Sequence, residues 1–310
     1  MRDLYTALRG FIRNDFNLQA YGLTMLFLAV AIFINYSPSI DISTINLRTG
    51  AANRLLYYGV LFGGTYFFAA LVAARGAAHD YLKDWRFWVL ASAFIFIALS
   101  PKLYIFRFLD VREQGWELGE MHFVARCHFF VNQMVLALIG LGMVRVLFNR
   151  WASFDYGFRG DWKTLRPYLL VLLLVSPLII GASFLPDFQK AYPQYRPWRF
   201  MEVFSTTMTQ RAAIFELSYA TGFVAVESIF RGALALTMVR IMGSRAILPM
   251  AAFYCVFHFG KPMGEAISAF FGGYALGVLA VHSKSILGGL IVHLGVAMLM
   301  ESLAYLHHLL

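Results

Sequence analysis

Apolar residues in this chain come in long runs separated by short polar connections. The runs lie at about 20–36, 54–74, 86–105, 126–148, 167–185, 212–239, 246–259, 264–282 and 286–306. As a helix, about 20 apolar residues cover the ~30 Å hydrocarbon core of a bilayer. In that medium every backbone N–H and C=O must find its partner within the protein, which favours helices. The pattern therefore predicts eight or nine transmembrane helices, the seventh being short enough to be a partial crossing. Pro38, Pro101, Pro167, Pro186, Pro249 and Pro262 fall at or near the ends of runs, where proline is tolerated. The residues before Tyr21 are polar and amphipathic, and Met1-Arg-Asp-Leu-Tyr5 does not read as the start of a cleaved signal peptide. No internal repeat is visible.

Composition narrows the class. Of 310 residues 60% are hydrophobic and only 14% charged, against about 25% charged in a soluble domain. The expectation is an all-α, polytopic integral membrane protein with the lipid bilayer as its surroundings, placed in the plasma (cytoplasmic) membrane. The net charge of +9 is carried mostly by Lys and Arg in the connections. That is membrane-flanking behaviour, it leans slightly towards an inside N-terminus, and it gives no support to nucleic-acid binding. Cys127 and Cys255 form neither a disulfide framework nor a CxxC metal pair. Cys255, inside an apolar run, reads as a small packing residue.

Four ionisable residues break the apolar pattern at membrane depth. Glu227 and Arg231 stand four apart in one run, and His258 and His293 follow on later runs. A charge at the centre of a membrane helix costs roughly 2.5 kcal/mol or more, so such residues default to a functional reading. Spacing by four puts Glu227 and Arg231 on one helix face, where they can neutralise each other. Gly273 and Gly277, also four apart, allow a neighbouring helix to approach closely. The chain divides near residue 210: residues 1–211 supply N-terminal helices and loops, 212–306 a core enclosing a polar cavity, and 307–310 a tail.

Taken in order, Glu227-Ser-Ile-Phe-Arg231-Gly232, Phe253-Tyr-Cys-Val-Phe-His258, Phe271 to Gly277, and Gly289-Leu-Ile-Val-His293 resemble the ABI/CPBP family of intramembrane proteases, which includes the CAAX prenyl endopeptidases. The family pattern is Glu-Glu-x-x-x-Arg, Phe-x-x-x-His, a glycine-rich helix, and His-x-x-x-Asn. This chain departs from it at three positions: Val226 replaces the first Glu, Tyr254 the Phe, and Ala297 the Asn. The resemblance covers about 212–306 and implies a CAAX-protease-like core.

It also implies an activity. The substrate would be a membrane-anchored or C-terminally modified protein, prenylated or not, cut by an activated water near the bilayer interface. His258 would assist water activation, His293 would stabilise the oxyanion, and Glu227 with Arg231 would complete or order the site. Glu216, Glu265 and Glu301 are candidate substitutes for the missing carboxylate, against the plainer reading of interfacial end charges. No cofactor is required for this chemistry. Two histidines and a carboxylate can in principle hold zinc, but His-Glu-x-x-His is absent, and the metal-free route is preferred.

The alternative is a catalytically inactive family member serving as a membrane scaffold or binding protein, for which Val226 and Ala297 are the arguments. A transporter is expected to show related halves, and none is visible. Glu113, Glu117, Glu120, His122, Cys127 and His128 read as a solvated connection, and His307 and His308 as solvated terminal residues. Tyr192-Pro-Gln-Tyr-Arg-Pro-Trp-Arg199 reads as an aromatic and basic interfacial anchor.

Overall fold

The computed structural model describes residues 2–37, 50–75, 80–103, 109–150, 154–200 and 202–310, so Pro38 lies outside the described residues. An amphipathic α1 (Arg2–Asp15) leads into α2 (Leu18–Asn35), α3 (Ala51–Ala73), α4 (Trp85–Leu103), α5 (Leu118–Phe148) and α6 (Trp162–Ala182). After a folded connection come α7 (Met208–Glu227), α8 (Ile247–Phe257), α9 (Met263–Ser283) and α10 (Leu287–Leu309). Eight helical runs among the described residues are long and apolar enough to cross a membrane. The protein is a multi-pass, all-helical membrane protein.

Polar residues at the helix starts set the boundaries. Asn17 accepts from the Ala20 amide at the head of α2, and Asp161 from Thr164 at the head of α6, each filling one of the orphan donors of a first turn. Glu117 with Glu120, and Thr207 with Gln210, form capping boxes for α5 and α7. The first of these corrects the expected connection. α5 begins at Leu118 rather than near 126, so Glu120, His122, Cys127 and His128 are helical. Glu120 also accepts from the Phe204 amide, and the His122 ring packs on Phe200.

The predicted sixth and seventh runs form one helical stretch, Met208–Phe257, interrupted in the middle. α7 passes into a π-helical segment, Ser228–Thr237, and then a short turn, Val239–Met242. Gly243, at φ 61, takes a left-handed conformation that costs glycine little. α8 follows with only 11 residues, and Ile247 through Val256 are all buried. A helix apolar on every face belongs in a core, and α8 is the centre of this one. On one side Phe253 packs on Phe62 of α3. On the other, Tyr254 and Met250 sit over Gly273 and Gly277 of α9, where an added Cβ would collide with either side chain. The expected close approach is thus made by α8.

α6 packs against α10, with Tyr168 lodged over Gly288 and Leu172 over Gly295. Its outer face presents Leu169, Leu173, Leu174 and Leu178, as a lipid-facing helix does. α10 runs through Leu309, so residues 307–309 extend a helix. His307 is not simply solvated: it is 3.0 Å from the Ser183 hydroxyl, while His308 stacks on Trp198.

The connection from 183 to 207 folds inward instead of lying outward as an anchor. Tyr192 and Tyr195 are buried, and Arg211 of α7 is 1% exposed. The Arg211 guanidinium donates to the carbonyls of Thr206 (2.5 Å), Pro197 (3.2 Å) and Phe200 (3.2 Å). A buried cation holding three carbonyls overrides the membrane-anchor preference that the aromatic composition suggests.

Candidate functional site

Glu227, at the end of α7, and Arg231, within the π-helical segment, are both completely buried, and the Arg231 Nη1 lies 3.1 Å from Glu227 Oε1. His293 comes from the second turn of α10, and its Nδ1 lies 3.0 Å from the same carboxylate oxygen. An arginine-paired carboxylate accepts and does not donate, so the His293 Nδ1 carries the proton of this bond. Glu227 therefore holds both a cation and an imidazole.

What permits the contact is Gly289, one turn before His293. A Cβ there would stand 2.5 Å from Glu227 Oε2. Gly289→Ala is expected to push α10 off α7 and destabilise the protein by about 1–3 kcal/mol, the usual range for overpacking. Thermal unfolding in detergent measures this, and an unshifted transition would remove the glycine from the account.

His258 occupies the C-cap of α8, where the chain leaves the helix. Its Nδ1 is 2.8 Å from the Tyr254 carbonyl oxygen. A carbonyl can only accept, so Nδ1 is protonated here and Nε2 is the acceptor of the neutral ring. Gly260, at φ 93, turns the chain away after His258 at a backbone angle that other residues resist.

Tyr254 touches both histidines. Its ring meets that of His258 at a centroid distance of 4.5 Å. Its hydroxyl lies 3.2 Å from His293 Nε2 and 3.4 Å from Nδ1. The Arg231 guanidinium covers the face of the same ring, 4.3 Å from its centroid, a cation–π contact made out of water. In the sequence Tyr254 is a departure from the family pattern with no role attached to its hydroxyl, and a phenol at a motif position is the only signal there.

Other expected candidates fall elsewhere. Val226 is buried among apolar neighbours. Ala297 is packed in a cluster with Phe123, Tyr195, Phe215, Tyr219 and Phe223. Glu265 pairs with Lys261 at 2.7 Å and accepts from the Tyr192 hydroxyl at 2.7 Å. Glu301, 2% exposed, accepts from the Gln194 amide at 3.0 and 3.1 Å. Glu301 is a satisfied interior carboxylate, whereas Glu265, partly exposed in the first turn of α9, is an end charge paired with Lys261. Among the described residues no three His, Cys, Asp or Glu side chains gather as a metal site.

Residues 208–299, α7 through most of α10, match the family model described as Rce1-like, type II CAAX prenyl endopeptidase Rce1-like. No curated protein and no solved structure matches the chain.

Proposed function

We propose, on the premise that this chain belongs through residues 208–299 to the ABI/CPBP family of CAAX-type intramembrane proteases, that it is an endopeptidase acting on a membrane-anchored or C-terminally modified protein. Residues 212–306 form its catalytic core. The observation that carries the reading is the buried bond between Glu227 and His293, joined through Tyr254 to His258. One histidine held by a buried carboxylate and a second held by a backbone carbonyl, with a phenol between them, are more organisation than packing requires.

The chemistry follows from the assigned protons. A water takes a place at His258 Nε2 and attacks the scissile carbonyl carbon while its proton passes to that nitrogen. The carbonyl oxygen becomes an oxyanion, to which His293, entering the cycle protonated on both nitrogens and keeping both protons throughout, offers Nε2–H while Glu227 offsets its charge. On collapse the C–N bond breaks, and the amine nitrogen takes the proton from His258. One water is consumed and a carboxyl and an amine are released. Glu227 and Arg231 hold His293 in place and do not exchange protons with the substrate. No step requires a metal.

The substrate is a membrane-bound protein or peptide, with a prenylated C-terminus and an unmodified segment as the two forms to compare. Val226 and Ala297 support the second reading, a family member that binds a membrane protein without cutting it. Cleavage in membranes of the expressing host separates the two. New protein termini, read by mass spectrometry, are expected with wild type and absent with both His258→Ala and Glu227→Gln. Identical termini from wild type and folded variants would overturn the proteolytic reading in favour of binding.

A further inference from the structure

We infer that the Tyr254 hydroxyl donates a hydrogen bond to the oxyanion, supplying the donor that Ala297 cannot. The inference rests on the proteolytic reading above and adds a residue to it. Ala297 has no polar group and lies among aromatic rings, so its turn of α10 offers no donor. The Nδ1 proton of His293 is committed to Glu227 at 3.0 Å. In the neutral ring Nε2 is then an acceptor, and it donates only when the ring carries a second proton. The Tyr254 hydroxyl, 3.2 Å from Nε2, is taken up by that nitrogen in the neutral ring; with the ring protonated on both nitrogens Nε2 no longer accepts, and the O–H is free for the oxyanion.

Its placement suits that work. The ring is fixed by Gly273 on one side, where a Cβ would come within 2.7 Å of Cδ1, and by Phe230 at a centroid distance of 4.8 Å. A donor that need not move when charge develops is worth most in a dry site. The Arg231 guanidinium over the ring sets a positive charge behind the group that faces the oxyanion. Packing does not require the hydroxyl, because the family pattern fills this position with Phe. The oxygen is what this chain adds.

Tyr254→Phe tests the assignment by restoring the family's own residue. The rate at which the wild-type termini appear in host membranes is compared at equal protein level, alongside thermal unfolding of the purified variant. The expected result is a fall of about 100-fold or more, the cost of losing one oxyanion donor, with the unfolding transition little changed. Cleavage by Tyr254→Phe at the wild-type rate overturns this role and leaves the proteolytic reading standing. A variant that no longer folds also overturns it, since the hydroxyl would then be a structural group. If the wild type itself releases no termini, the proteolytic reading falls and this role falls with it.

Discussion

Arg231→Met is expected to lose about 3–5 kcal/mol of stability, the cost of leaving one member of a buried ion pair without the other. Glu227 and Arg231 are both fully buried, 3.1 Å apart. Methionine fills much of the arginine's volume and removes its charge, so the carboxylate is left with His293 alone. Tyr254 also loses the cation over its ring. Adding Glu227→Gln to this variant is expected to recover part of the loss, because no uncompensated charge then remains. Thermal unfolding of the two single variants and the double variant in one detergent measures the coupling. Additive losses would mean that the two side chains act independently, and the pair would no longer be what orders the site.

Arg211→Met is expected to loosen the connection between α6 and α7 and to cost about 2–4 kcal/mol, judged from hydrogen bonds that involve a charged donor. Three carbonyls of that connection, at Pro197, Phe200 and Thr206, are held by this one side chain. Without it they face an apolar interior unpaired. The connection also carries the Tyr192 and Gln194 groups that satisfy Glu265 and Glu301, so its loosening exposes carboxylates at the edge of the core. Limited proteolysis is expected to cut the variant within 183–207 much faster than wild type. Equal rates would place the stability of this segment elsewhere.

Hydropathy gave the spans because the apolar runs are long and the bilayer imposes their length. It could not place Gln194 against Glu301, since that contact joins residues a hundred positions apart and depends on how one loop folds back. The aromatic and basic run 192–199 has an anchor's composition, yet interior partners pull it inward. At the site, the spacing of Glu227 from Val226 already implied that the carboxylate faces away from the missing base. Where it faces was not legible, because the approach to His293 depends on the absence of a side chain at Gly289. Tyr254 shows the opposite limit: its position was marked by the motif, but the value of its oxygen follows only from its distance to His293.

The shortness of α8 sets a depth. Its start is tied to the polar end of α1, where Asp15 accepts from the Ser244 hydroxyl at 2.6 Å and from Arg245 at 2.8 Å. Eleven residues rise about 16 Å, roughly half of a ~30 Å hydrocarbon layer. A helix that starts near one face and rises this far stops inside the layer, and the chain turns sharply there, the Lys261 amide donating to the His258 carbonyl at 3.1 Å. On the proteolytic reading, a peptide bond brought to His258 would have to leave the surface and travel inward. It would also have to be extended on arrival, since a helical carbonyl is already occupied by the amide four residues on. Segments rich in glycine or proline, which give up helix at little cost, are the ones this depth favours.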